Sequence, residues 1–224
     1  MITRHARGAH LPRHRHAEPY LAVVLAGGYV EAGDGGRWRA RPGTVVVHGA
    51  YEAHGNGFDA AETVVLNLPV PAGLAPIAGL IDDVDAVARV AARDPVNAAN
   101  LVSTMLRPGA DRLDDWPDLL AAALSADPSL SIRAWADAVG LAPASVSRGF
   151  ARAYGVSPKR YRLEARARQA LYAVAGSRAQ LAEIAAAHGF ADQAHMTRAL
   201  VAMTGAPPGA FRAKSVQAGG IAAV

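Results

Sequence analysis

The sequence predicts an α+β fold of two domains, a β-rich barrel at the N-terminus and an all-α domain at the C-terminus. Three observations carry this expectation. Short alternating or apolar runs separated by Gly-rich turns fill the first third of the chain. Helical periodicity is continuous from Leu130 onward, and that helical part contains an internal repeat.

The β elements come first. YLAVVLAG (20–27), GYVEAG (28–33), RWRA (37–40), TVVVHG (44–49) and ETVVLNLPV (62–70) read as strands, with turns at GDGG (33–36) and PG (42–43). They assign residues 1–75 to a small barrel or sandwich. His5 and His10 precede these runs, in an arm expected to be mobile and solvated. Residues 76–129 change character: apolar residues recur at helical spacing among acidic ones, and Pro95, Pro108 and Pro117 interrupt the stretch. This segment reads as a helical connector and as the natural place for contacts in a homodimer. Residues 130–213 form the α domain, and 214–224 a flexible Gly-rich tail.

Composition narrows the classes. Of 224 residues, 51% are hydrophobic and 19% charged, enough for two ordinary cores. Cysteine is absent, which excludes disulfides and thiolate metal sites. No apolar run approaches the ~18 residues of a membrane span. The basic start MITRHARGAHLPRHRH lacks the apolar stretch of a secretory signal, so the chain reads as cytoplasmic. Charge is uneven: residues 131–224 hold 12 Lys+Arg against 4 Asp+Glu, while residues 1–130 hold 11 against 15. A basic C-terminal half attracts polyanions.

The repeat gives that charge a use. WADAVGLA (135–142) aligns with IAAAHGFA (184–191), pairing Ala136 with Ala185 and Gly140 with Gly189. One residue further out of step, Ser147-Arg148 pairs with Thr197-Arg198, Gly155 with Gly205, Pro158 with Pro208, and Tyr161-Arg162 with Phe211-Arg212. Each position suits a helix-turn-helix. The first helix needs a small residue at the crossing, the turn needs positive φ, and the second helix must return an apolar residue (Val146, Met196) to the core.

The second helices are amphipathic. In ASVSRGFARAY, Val146, Phe150 and Ala153 share one face, while Ala144, Ser147, Arg148 and Arg152 lie opposite. In DQAHMTRALVAM, Met196, Ala199, Leu200 and Met203 form the buried stripe. Ala194, Thr197 and Arg198 point away from it, with Gln193 and His195 near the helix start. Such helices read base edges in the major groove. Between them SPKRYRLEARARQALYAVAG (157–176) reads as one helix, whose Lys159, Arg160, Arg162, Arg166 and Arg168 suit phosphates.

On these motifs residues 130–213 resemble the DNA-binding domain of the AraC/XylS family of transcription regulators. The resemblance implies two recognition helices about one DNA turn apart on double-stranded promoter DNA, with RNA polymerase as a further candidate partner. It implies base contacts from Ala144, Ser145 and Arg148, and from Gln193, Ala194, His195 and Arg198. Ala194 stands where the family often has Ser, and Met196 and Leu200 where it usually has Phe.

In the first domain, His14 and His16 share a strand face and can point together into a barrel. HRHAEPYLAVVLAGGYVEAGDGG…RPGTVVVHGAYEAHGNGF resembles the cupin-type sensor domains of the same family. The pattern departs where metal-binding cupins place a Glu: Tyr20 and Leu21 occupy those positions, and Glu18 comes too early. For His14, His16 and His54 three readings stand: a divalent metal (Zn, Ni, Fe or Mn), an organic-effector pocket that includes Tyr20 and His48, or a vestigial barrel. The leading expectation is a one-component regulator whose DNA binding responds to a small molecule or metal, and not an enzyme. Its alternatives are a metal-dependent cupin enzyme fused to a DNA-binding module and a ligand-free architectural DNA-binding protein.

Overall fold

A computed structural model describes residues 1–60, 62–75, 78–127 and 129–212, so the expected tail at 214–224 lies outside the described residues. The chain divides into two compact units. The first is Met1–Leu119 with Arg152–Gly155, and the second is Leu120–Ala151 with the chain from Val156 onward.

The first unit holds β1 (Ile2–Ala6), β2 (His10–Arg15), β3 (Tyr20–Ala26), β4 (Tyr29–Gly33), β5 (Gly36–Ala40), β6 (Thr44–His48), β7 (Ala53–Phe58), β8 (Glu62–Pro69), β9 (Ala78–Leu80) and β10 (Asp111–Arg112). They form two five-stranded antiparallel sheets, ordered β1-β8-β3-β6-β9 and β10-β5-β4-β7-β2. The unbroken apolar runs of β3 and β6 follow from burial on both faces. One face packs Leu21, Val23, Val45, Val47, Leu66 and Leu68 against helices α1 (Val84–Ala91) and α2 (Pro95–Met105), through Val87, Ala98, Ala99 and Val102. The other turns Ala22, Val24 and Val65 toward Tyr29, Ala40 and Phe58 of the second sheet.

Three features differ from the sequence expectation. The N-terminal arm is two strands, since β1 pairs with β8 and β2 with β7, and the His5 ring stacks on Phe58 at 4.1 Å. His5 and His10 are therefore strand residues. The stretch after residue 75 is only partly a connector, because β9 and β10 extend the sheets and α1 and α2 complete the first core. AHGNGF, with its two glycines, lacks the β-branched signature of a strand, yet forms β7. Gly55 eases a close approach there: a Cβ would stand 3.1 Å from the Arg13 nitrogen and the Leu11 carbonyl of β2, tight enough that the neighbouring strand would have to give. That close approach accompanies a β-bulge, in which Leu11 faces Asn56 and His14 faces His54, so three steps on β2 match two on β7.

Helix α3 (Trp116–Ala126) leads into α4 (Ile132–Ala138), α5 (Pro143–Tyr154), α6 (Pro158–Gly176), α7 (Leu181–Ala187) and α8 (Gln193–Thr204). Ser131, Ser157 and Asp192 cap α4, α6 and α8 by accepting backbone N–H bonds, a contribution of about 1 kcal/mol each. Pro158 begins α6 at a position where no intrahelical donor is lost. The turns of the two helix-turn-helix units pass through Gly140 and Gly189, at φ 72° and 70°, as that backbone requires. Ala136, Val146, Phe150, Ala185, Met196 and Leu200 are all fully buried in the α core. Among the described residues no helix is long and apolar enough to cross a membrane.

Candidate nucleic-acid interface and ligand cavity

The two second helices of the repeat, α5 and α8, each bury one stripe and expose the other. On α5, Val146 and Phe150 are buried, with the Phe150 ring edge-on to Tyr161 at 5.4 Å, while Ala144, Ser145, Ser147, Arg148 and Arg152 are exposed. On α8, Met196, Leu200 and Met203 are buried, and Gln193, Ala194 and Arg198 are exposed. Thr197 and His195 are half-buried. His195 sits edge-on to Phe190 at 5.2 Å, so part of its ring packs at the turn of its own unit.

The basic face expected of α6 is divided by the structure. Arg162 donates to the Leu130 carbonyl at 2.9 Å, Arg166 to the Gly189 carbonyl at 3.1 Å, and Arg160 to Glu164 at 2.8 Å. Arg162 and Arg166 tie α6 to other segments of the domain, while the Arg160 bond stays within the helix. Arg166 secures the turn of the second unit, which sequence reasoning missed because its partner is a carbonyl 23 residues away.

The second candidate site lies in the first unit, as a cavity of about 560 Å³. Strand alternation and register arrange part of its wall in tiers. Strand β7 presents His54, Asn56 and Phe58, and β4 sets Gly33, Glu31 and Tyr29 directly opposite them. His14 of β2 faces His54, and Tyr20 of β3 pairs with His48 of β6. The first tier is thus rich in imidazoles, the second holds Glu31 and Asn56, and the third is aromatic, with Tyr29, Phe58 and the stacked His5.

The imidazole tier is tightly assembled. Ring nitrogens of His14, His16 and His54 lie within 4.8 Å of one another, and the His48 ring is 4.2 Å from that of His54. The Tyr20 hydroxyl is 3.0 Å from His54 Nε2 and its ring stacks on His48 at 4.7 Å. His14 Nδ1 lies 2.8 Å from the Pro12 carbonyl oxygen. A carbonyl can only accept, so Nδ1 is the protonated nitrogen and Nε2 keeps a lone pair for a metal. His54 Nδ1 is buried without a hydrogen-bond partner among the described residues.

Electrostatics disfavour charge on His16, His48 and His54. Burial pushes His48 down to about 3, with His16 and His14 adding to the effect. Burial, and then His48, hold His54 well below the usual imidazole range. His16 is lowered by burial and by His14. Burial pushes the Glu31 carboxyl up to about 8, against the opposing hydrogen bond from Asn56. The 3.5 Å approach of His48 Nε2 to Glu31 Oε2 is therefore a contact between neutral groups at pH 7, and not an ion pair. The triad fits a divalent cation on donor chemistry: three imidazoles, one tautomer fixed by a carbonyl, and one unpartnered buried nitrogen.

All five residues singled out in the first domain, His14, His16, Tyr20, His48 and His54, line this one cavity. Glu31 and Asn56 were missed. Their only sequence signal was a Glu at an inward position of the alternating YVEAG run.

Residues 135–214 match a family model described as a helix-turn-helix domain. None of the curated protein sequences matches the chain. Among solved structures the chain is similar to a transcriptional regulator with an AraC-type DNA-binding domain from Chromobacterium violaceum, at 24% identity over 44% of this chain and 89% of that one, TM-score 0.41. It is similar to the C-terminal domain of AraT, a response regulator from Geobacillus stearothermophilus, at 19% identity over 46% and 88%, TM-score 0.42. It is also similar to ToxT from Vibrio cholerae, at 8% identity over 95% and 96%, TM-score 0.43.

Proposed function

From the premise that the C-terminal domain of this chain is an AraC-type helix-turn-helix domain, we propose that the protein is a sequence-specific transcription regulator binding double-stranded promoter DNA through α5 and α8. The observation that carries this reading is the duplicated unit, with two buried stripes and two exposed polar faces on one connecting helix. Arg148 and Arg198 occupy equivalent exposed positions, where a guanidinium reads guanine. Ser145, Ser147, Arg152, Gln193 and Thr197 complete the surface, and Ala144 and Ala194 offer methyl contacts to thymine.

The first unit is the sensor in this reading. His14, His16 and His54 hold a divalent cation, with imidazole ligation suited to Zn, Ni or Fe, and Mn as a weaker match. When bound, that cation supplies a positive centre with open coordination positions. Tyr20 orients His54, and the Pro12 carbonyl orients His14. Tyr20 and His48 stand next to the space an effector would fill. Effector binding regulates DNA binding to the extent that the two states of the regulator bind it with different affinity.

The test is selection of genomic fragments by the purified protein at fixed salt, with and without zinc. A shared motif of two half-sites about one turn apart is expected, and its recovery should depend on zinc. Fragments without a common motif would replace this reading with an architectural DNA-binding protein. A motif indifferent to zinc would show that the cation by itself does not regulate DNA binding.

A further inference from the structure

The cavity is larger than a metal site needs and has an uneven lining. Its volume of about 560 Å³ falls within the range of small organic-molecule sites. At one end stand imidazoles and the Tyr20 hydroxyl, and at the other the rings of Tyr29, Phe58 and His5. A ligand with a polar head and an apolar body matches this arrangement.

The charge of the lining selects the head. Among the described residues that line the cavity there are carboxyl side chains, Glu18 and Glu31, but no Lys or Arg side chain. A buried carboxylate without a counter-charge is strongly disfavoured. Three imidazoles that ligate a cation do so as neutral donors and leave its double charge uncompensated. Glu18 is exposed to solvent and Glu31 belongs to the tier beyond the imidazoles, so a cation there gains from an added carboxylate, and an acid gains the positive partner that the lining side chains lack.

We infer that this cavity takes a small organic acid with an aromatic or short alkyl body, and takes it only together with a divalent cation on His14, His16 and His54. The inference rests on the metal-holding reading of that triad. The acid's carboxylate lies at the imidazole tier and its body reaches toward Tyr29 and Phe58. An acid and a cation must then be present together for the sensor to fill. The Met1 amine, which donates to the Asn67 carbonyl at 2.7 Å, is the other positive group by the lining, and the experiment separates its effect.

The full-length protein is stripped with a chelator, and its melting temperature and calorimetric binding are measured with and without zinc chloride. The probes are benzoate, 3-phenylpropionate and hexanoate, each beside its uncharged amide. At least one acid should bind roughly tenfold more tightly with zinc than without it, and its amide should show no such gain. His16→Gln, at an exposed ligand position, should keep the metal-free melting temperature and lose both the zinc response and the zinc-dependent acid response. Acids that bind equally without zinc overturn the inference and point to the Met1 amine. Zinc binding without any acid response overturns it while leaving the metal reading intact. Absence of zinc binding overturns both.

Discussion

Asn56 donates its side-chain amide to Glu31 Oε2 at 3.2 Å across the β4–β7 ladder, in a tier where both residues are buried. Burial keeps that carboxyl protonated up to about pH 8, whereas its ordinary value is 4.5. Between those values the folded state carries the extra proton. Stability from this group is therefore full below pH 4.5 and is lost as pH rises through about 8. His48 and His54 act in the opposite sense, since they stay neutral when folded and the unfolded chain gains protons below pH 6.5. Above pH 6.5 Glu31 acts without them. In urea unfolding of the metal-free protein, stability should fall between pH 6.5 and 8 by up to roughly 1.4 kcal/mol per unit. Glu31→Gln should be nearly flat over that range, and a variant as steep as the wild type would refute the assignment.

Arg198 stands exposed on α8 at the position equivalent to Arg148. Arg198→Ala should weaken binding to the selected motif by about 1–3 kcal/mol and relax selectivity at one base position. Competition binding with a randomised site measures both. An equal loss on specific and random DNA would make Arg198 a phosphate contact.

Gly189 holds φ at 70°, and a Cβ there would stand 3.4 Å from the Arg166 guanidinium carbon. Gly189→Val adds a β-branched side chain to a left-handed position, with a cost of order 1–3 kcal/mol. The variant should melt lower and lose motif binding. A normal melting curve with normal affinity would exclude the turn as its reason.

Arg166 and Lys159 share one helix but differ in employment. Arg166→Gln removes the bond to the Gly189 carbonyl, so melting temperature and motif affinity should fall together. Lys159 is exposed, and Lys159→Gln should leave melting unchanged. If it touches a phosphate, the salt slope of binding should drop by about 1, which a titration of affinity against salt would register.

Legibility in the sequence followed the range of the interactions. The α domain was readable because its signals are local: Gly140 and Gly189 carry the positive φ that the repeat required, and Val146 and Met196 are buried. The sites for His14, His16, Tyr20, His48 and His54 could be nominated from spacing and resemblance. Glu31 and Asn56 could not, because their neighbours are set by the pairing of β4 with β7, about 25 residues apart in the chain. His5 escaped for the same reason: β1 finds its partner in β8, and a short basic segment shows no periodicity of its own. The bond from Arg166 to the Gly189 carbonyl was not legible, because a carbonyl acceptor leaves no mark in a sequence.

The bulge in β2 bears on how this cavity could change during descent. Leu11 and His14 oppose residues only two apart on β7, so one residue of β2 is surplus to the ladder. Removing it by a single-codon deletion would let β2 pair regularly, with a histidine still opposite His54. All three histidines would survive, but the carbonyl that fixes the His14 tautomer would be drawn into a different geometry. A lineage could thus alter the geometry of this histidine cluster through a change in chain length while all three histidines persist in its sequence, and their presence in a descendant would be no guide to whether the cluster keeps the arrangement described here.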